Sequence, residues 1–466
     1  MRISVAVDFD GVLVDRITTE PRWRSSSWVW ELLADKDVSV VSARDSNSKK
    51  YLNKVAATLF KRNVPVYCEG SVDSKIEFLN KKRFDMVIDD SEKVVRLAEA
   101  PVKVYITGYK SVLSLYELFQ EKKLYSPALV KTDDVAYTID YSHRSEEFKQ
   151  MYKDTVRRLQ SLIYSYTRAE RSSKERGAVN IVFIQGSASA AIEAALSSVM
   201  HKYKLIGVVV NGVFGQRAAA MARRYFGDNV YEYKRVHDLI RAVLHGYVNM
   251  AYVTQFETST SIHNDVSELQ KVCEENDVPL IIDAVSAFPY YTFPYQAEAV
   301  ILSSSKQIGG MPVMGIVAYK DRFVGRLKED NEGAEYLSLL RYKGSAGNSQ
   351  TPHTSLIPQM QSLNLELATQ QYKRRVALID QACTLLLCDI HVGVIGHTPA
   401  PVLTIKVKNM KMLQELLGIF NIELYYNKVY MEKDEVIQIG CFGYDDIKYY
   451  EYLAMVLKLA NKRGYI

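Results

Sequence analysis

The chain is short of cysteine, of long apolar runs and of charge of one sign. Its five cysteines, at positions 68, 273, 383, 388 and 441, show no metal-ligand spacing. An odd, scattered set excludes a disulfide framework and fits a reducing compartment, so a cytoplasmic protein is expected. No apolar run approaches the roughly 20 residues that span a bilayer, and no membrane role is expected. Basic residues number 59 against 54 acidic ones, a formal charge of +5. That balance is too small to argue for nucleic acid, although it does not exclude it. No low-complexity linker or internal repeat breaks the chain. The opening MRISVAVDFDG reads as a strand with an acidic end, not as a signal peptide. What is present is ordinary for a globular protein: 466 residues, 48% hydrophobic and 24% charged, enough for two to four domains.

The stretch AVILSSSKQIGGMPVMGI, residues 299–316, organises the rest. An apolar run, Ala299 to Leu302, reads as a buried strand and stops at three serines and Lys306. A lysine at a strand end lies where α/β folds put their chemistry. Desolvated there, its amine becomes a usable nucleophile; alone, it would be a solvated loop lysine. Upstream, IIDAVSAF is a second apolar strand, ending in Asp283. A lone acid at such a place is a helix cap, but an acid and a lysine ending successive strands suggest one site.

Further segments add to this pair. They are SHRSEEF (142–148), GSASAAIEAAL (186–196), NGVFGQR (211–217), ETSTSIHN (257–264), DAVSAF (283–288) and SSSKQIGG (303–310). In this order they resemble the class V aminotransferases, pyridoxal phosphate enzymes of fold type I. Members acting on alanine and glyoxylate, serine and pyruvate, or 2-aminoethylphosphonate and pyruvate look nearest. The resemblance implies pyridoxal 5'-phosphate bound to Lys306 as a Schiff base, with Asp283 on its ring nitrogen and Phe214 stacked on its ring. It implies Gly186, Ser187, Ala188 and Ser189 around the phosphate, at a helix start that suits an anion. Thr258 and Ser259 would reach the phenolic oxygen or the substrate, with Val285 and Ser305 beside them. The segment GNSQTPHT (347–354) resembles one that reaches the neighbouring subunit's site, so Thr351 is a phosphate contact in trans and a homodimer is expected.

The N-terminal part carries its own pattern. RISVAVD is a short strand ending in Asp8, and Asp10 follows at i+2, pointing the same way. Two such carboxylates can hold a divalent cation, and one can attack phosphorus while the other moves a proton. VSVVSAR ends a second strand near Ser42; Lys75 and the pair Asp89–Asp90 follow. This series is similar to the haloacid-dehalogenase-type phosphatases. It implies Asp8 as nucleophile, Asp10 as general acid, Mg²⁺ held by Asp8, Asp10 and Asp89, and Ser42 with Lys75 on the phosphoryl group. TEPRWRSSSWVWELL, predicted to be a turn and a helix, leaves no room for a large cap domain, so bulky phosphate esters would be admitted.

The predicted fold class is α/β. Residues 1–122 form a Rossmann-like phosphatase domain and 123–370 a three-layer α/β/α large domain of fold type I. Residues 371–466 form a small C-terminal α+β domain. One residue departs from the family pattern: in VIQIGCFG, Gln438 stands where amino-acid-handling members have an arginine for the substrate carboxylate. A glutamine cannot neutralise a carboxylate. Either another base such as Arg341 or Lys343 takes over, or the amine is unusual. The expected function is therefore a bifunctional aminotransferase and Mg²⁺-dependent phosphatase, taking amine, oxo-acid and phosphate ester substrates. The alternatives are a pyridoxal phosphate-dependent decarboxylase or lyase acting on a nucleotide- or polymer-linked amine, and a protein in which one domain is a non-catalytic scaffold.

Overall fold

The computed structural model describes residues 3–10, 12–13, 29, 32–33, 36–105, 122–126, 142–167, 179–199, 204–294, 296–327, 335–354, 357–388, 390, 393–426 and 435–466. Most of the predicted helix within TEPRWRSSSWVWELL, most of the one over Ser111 to Lys123, and the charged cluster Lys174–Arg176 lie outside them.

The first sheet contains β1 (Ser4–Val7), β2 (Asp37–Ser42), β3 (Val66–Cys68), β4 (Met86–Asp89) and β5 (Val102–Tyr105), all parallel, in the order β3-β2-β1-β4-β5. Its central strands are mostly apolar, with core residues packed on both faces of the sheet. The order reverses direction between β1 and β4, and a crevice opens at the C-terminal ends of strands at such a point.

Next in the chain comes β6 (Lys123–Tyr125). Residues 123–125 are predicted above as part of the large domain. Here β6 pairs instead with a strand of the C-terminal domain, Lys123 opposite Ile422. Tyr125 is fully buried there, and its hydroxyl donates to the Tyr449 carbonyl at 2.6 Å. This correction rests on long-range packing: the tyrosines at 125, 444 and 450 lie ring against ring.

The helix Glu146–Tyr166 is capped by Ser145, whose hydroxyl accepts from the Phe148 amide. It buries Phe148, Met151, Tyr152, Leu159 and Ile163 at helical spacing, while Val156 is half-buried. The large sheet follows: β7 (Val179–Gln185), β8 (Ile206–Val209), β9 (Val230–Tyr233) and β10 (Met250–Thr254). A two-stranded ribbon of β11 (Phe256–Glu257) and β12 (Ile262–His263) follows, then β13 (Leu280–Asp283), β14 (Ala299–Ser303) and β15 (Met314–Lys320). The large sheet runs β7-β15-β14-β13-β10-β8-β9, antiparallel only at the two pairings of β15. The helices Ala188–Val199 and Val213–Phe226 start directly after β7 and β8, so their N-termini lie at the same end of the strands.

The last sheet comprises β16 (Val394–Ile395), β17 (Val402–Lys406), β18 (Ile422–Tyr426) and β19 (Val436–Gly440), with β6 at its edge. The helix Lys448–Lys462 packs against the helix Tyr372–Leu387 and against β5. After that helix, Arg463 pairs with Asp85, which also accepts from the Ser4 amide at 2.9 Å and the Ser4 hydroxyl at 2.8 Å. Among the described residues, no helix is long and apolar enough to cross a membrane.

Candidate active site

The larger site begins with the backbone after β14. Lys306 has φ +57°, a left-handed conformation that a side chain with a Cβ seldom adopts. Its neighbours hold it there. The Gly310 amide donates to the Ser304 carbonyl at 2.9 Å, and the Ser304 amide donates to the Met314 carbonyl at 3.1 Å. Arg375, in the helix Tyr372–Leu387, donates to the Ile308 carbonyl at 2.8 Å and to Glu366 at 2.9 Å. At Gly309, φ is +91° and a Cβ would come 2.1 Å from that guanidinium, so only glycine fits.

Lys306 faces a cavity of about 250 Å³ with Ser187, Ser189, Phe214, Asp283 and Ser305 around it. Ala188 and Val285 also line it. Gly186, at φ +126°, turns the chain from β7 into the helix Ala188–Val199; its amide donates to the Val313 carbonyl at 3.1 Å. The start of that helix presents backbone N–H groups to the cavity wall. Burial lowers the Lys306 amine to about 8; Asp283 pulls it up and Arg217 pushes it further down. Burial raises the Asp283 carboxyl to about 6, against two donors that favour its charge. These are the Val285 amide at 3.1 Å and the Tyr252 hydroxyl at 3.2 Å. A softened amine, an enclosed carboxylate, an aromatic face and a helix start form a donor set that fits pyridoxal phosphate.

Other predicted residues lie elsewhere. Gln438 is buried in β19, and its amide donates to the Thr258 carbonyl and, at 3.2 Å, to the Thr404 hydroxyl. It is not among the cavity's lining residues and has no surface to offer a substrate. The Thr258 and Ser259 side chains do not line the cavity. The Ser259 hydroxyl donates to Glu257 at 2.5 Å and accepts from the Val213 amide at 2.9 Å. Glu257 accepts from the Gly215 amide at 3.0 Å as well, so this buried pair fixes the start of the helix that carries Phe214. The Thr351 hydroxyl donates to the His353 carbonyl at 2.8 Å, outside the cavity of its own chain. Arg341 pairs with Glu335. Neither Arg341 nor Lys343 lines the cavity. Sequence analysis missed Tyr252, Glu257 and Arg217. Period-two alternation was a signal for Tyr252, since Thr254 pairs with Asp283 in register and Tyr252 shares its face.

The N-terminal site lies at the reversal of strand order. Asp8 follows β1, Asp89 ends β4, and Lys75 enters from the helix Val72–Lys82. The Lys75 ammonium lies 2.5 Å from Asp8 and 2.6 Å from Asp89, all three side chains buried. Burial pushes the Asp8 carboxyl up to about 7, with Lys75 pulling against it and Asp89 adding like charge. Oxygens of Asp8, Asp89 and Asp90 come within 4.8 Å of one another, a group able to hold a cation. The Asp10 carboxylate lies outside that group. It is gripped by the Arg44 fork at 2.9 and 2.5 Å. The Ser42 hydroxyl accepts from the Arg44 amide at 3.1 Å. Asp8, Asp10, Arg44, Lys75 and Asp89 share a cavity of about 370 Å³.

The lowered Lys306 amine has a measurable consequence. Only a neutral amine attacks trinitrobenzenesulfonate, so labelling of Lys306 should rise through pH 8 and level off near pH 9. Solvated lysines should keep gaining towards their ordinary value of about 10.4. Peptide mapping by mass spectrometry separates the two, and a Lys306 profile that follows the solvated lysines would show that burial does not soften this amine.

No family model matches the chain. It is 24% identical over 237 residues to an uncharacterized aminotransferase of Methanocaldococcus jannaschii, a match covering 48% of this chain and 58% of that relative. The chain thus spans little more than half the length of this relative. It is 25% identical over 335 residues to a 2-aminoethylphosphonate–pyruvate transaminase of Pseudomonas putida, covering 66% of this chain and 87% of the other. Among solved structures, a ureidoglycine–glyoxylate aminotransferase of Bacillus subtilis aligns with TM-score 0.62 at 18% identity, over 74% of this chain and 93% of that one. An alanine–glyoxylate aminotransferase of Nostoc sp. aligns with TM-score 0.60 at 19% identity, over 72% and 95%. The chain therefore carries the α/β fold of the fold-type-I aminotransferases, and its sequence is class V aminotransferase-like.

Proposed function

We propose that this protein is a pyridoxal phosphate-dependent aminotransferase that moves an amino group between a small amine and an oxo acid. The observation that carries this is Lys306: a left-handed residue at a strand end, its amine lowered to about 8, facing the same cavity as Asp283. Ser187, Ala188, Ser189 and the helix start behind them would hold the cofactor phosphate. Phe214 would lie against the ring, and Asp283, kept charged by its two donors, would pair with the ring nitrogen. The cofactor, when bound, supplies an electron sink for negative charge developing at the substrate carbon. Lys306 would anchor it, and the neutral Nζ, when free, would be placed to move a proton to and from the substrate carbon. Tyr252 and the Val285 amide keep Asp283 oriented throughout.

Three experiments test this reading and its extensions. Purified protein should take up added pyridoxal phosphate with a yellow colour, and borohydride should fix the cofactor to the peptide containing Lys306. Lys306→Ala should lose the covalent label; a label that persists would place the anchor elsewhere.

A homodimer is part of the proposal, with Thr351 and its segment serving the partner's site. Sedimentation should give about twice the 53.0 kDa chain mass, and a monomer that binds cofactor tightly would contradict it.

The N-terminal domain is proposed as a phosphatase on the strength of Lys75 bridging Asp8 and Asp89. Asp8, Asp89 and Asp90 would hold Mg²⁺, which would offset their like charge and return Asp8 to its ionised, nucleophilic form. Lys75 would steady the phosphoryl group. Asp10 would serve as general acid only when Arg44 yields it. Asp8→Asn should abolish Mg²⁺-dependent hydrolysis of an aryl phosphate and leave cofactor uptake intact; undiminished hydrolysis would exclude Asp8 as the nucleophile.

A further inference from the structure

An amine bound at Lys306 must also be held by its other end, and the residue at the family's carboxylate position cannot do it. Gln438 is buried with its amide committed to Thr258 and Thr404. Among the described residues lining the cavity there are two cations, Lys306 and Arg217. Lys306 is taken by the amine chemistry.

Arg217 stands one turn into the helix Val213–Phe226 and makes no ion pair with a carboxylate among the described residues. Its guanidinium lies 5.0 Å from the centre of the Phe214 ring. The Ser189 hydroxyl is 3.5 Å away, at the weak limit of a hydrogen bond. Its charge is already felt inside the site, since it is one of the groups that lower the Lys306 amine.

We propose that Arg217 is the specificity-determining residue that binds an oxyanion on the substrate, so that the cavity selects amines bearing a carboxylate or a phosphonate. This rests on the aminotransferase reading above. A guanidinium offers a planar fork of donors that matches two oxygens of either group, and such charge-assisted bonds are roughly twice as strong as neutral ones. The ring of Phe214 lies against the guanidinium, and Arg217 is exposed where it lines the cavity. An uncharged amine would leave the fork to water and gain nothing from it.

The test uses cofactor-loaded protein and two amine-free probes, methylphosphonate and acetate. Binding of the first is read from its ³¹P line width and of the second by competition. Arg217→Gln should weaken at least one probe by about tenfold or more, with Arg217→Lys in between. The preferred probe distinguishes a phosphonate-bearing amine from a carboxylate-bearing one. In the same variant KM for 2-aminoethylphosphonate or alanine should rise by a larger factor than KM for uncharged 2-aminoethanol. Equal probe binding in wild type and Arg217→Gln would overturn the inference. So would a variant that loses pyridoxal phosphate affinity while keeping its probe affinity, because Arg217 would then serve the cofactor's own phosphate. Wild-type protein that takes up no cofactor would instead sink the aminotransferase reading, and Arg217-dependent probe binding there would still locate an anion site.

Discussion

A half-buried lysine in a left-handed conformation at the end of a strand is the constraint on which the larger site turns. Each residue around Lys306 is held by something else. Ser304 is tied to Met314 on β15, and the Ile308 carbonyl to Arg375. Arg375 is itself a buried charge, tolerable because Glu366 and the carbonyl share it. The strain of one left-handed lysine is thus spread over a loop and two helices. Asp283 completes the balance. Its charge lifts the amine that burial lowers, and the neighbouring Glu257 lifts the Asp283 carboxyl in turn.

The parts legible in the sequence were those encoded by neighbours in the chain. A buried strand followed by serines and a lysine, a strand ending in aspartate, and a glycine–serine turn into an alanine-rich helix all state their geometry locally. The strands over Val179–Gln185, Leu280–Asp283 and Ala299–Ser303 follow directly from apolar runs. The parts that were not legible depend on partners far away. Gln438 matches a motif position, yet what decides its role is Thr258, 180 residues distant. β6 carries no signal that it pairs with β18, because three residues fix no register until Tyr125 meets its tyrosine neighbours. Asp10 reads as a metal ligand beside Asp8, but Arg44 offers its carboxylate a fork that spacing cannot announce.

The two sites solve the same electrostatic problem in opposite ways. In the N-terminal site one lysine is set between two carboxylates, with Asp90 near them. Negative groups outnumber positive ones there. In the larger site Lys306, Arg217 and one carboxylate line the cavity, so positive groups outnumber negative ones. Strand ends supply the acids in both cases.

The domains do not hang together by the chain alone. Asp85 lies just before β4, and through Ser4 it clasps β1 to β4 at the ends opposite Asp8 and Asp89. The same carboxylate receives Arg463 from beyond the last helix. Both side chains of this pair are largely buried, at 19% and 12% exposure, so the bond is screened little by salt. The strand pair that brings Asp8 and Asp89 together is therefore braced from behind by the C-terminal domain. The N-terminal domain is thus built into the molecule at the very strands that carry its acids.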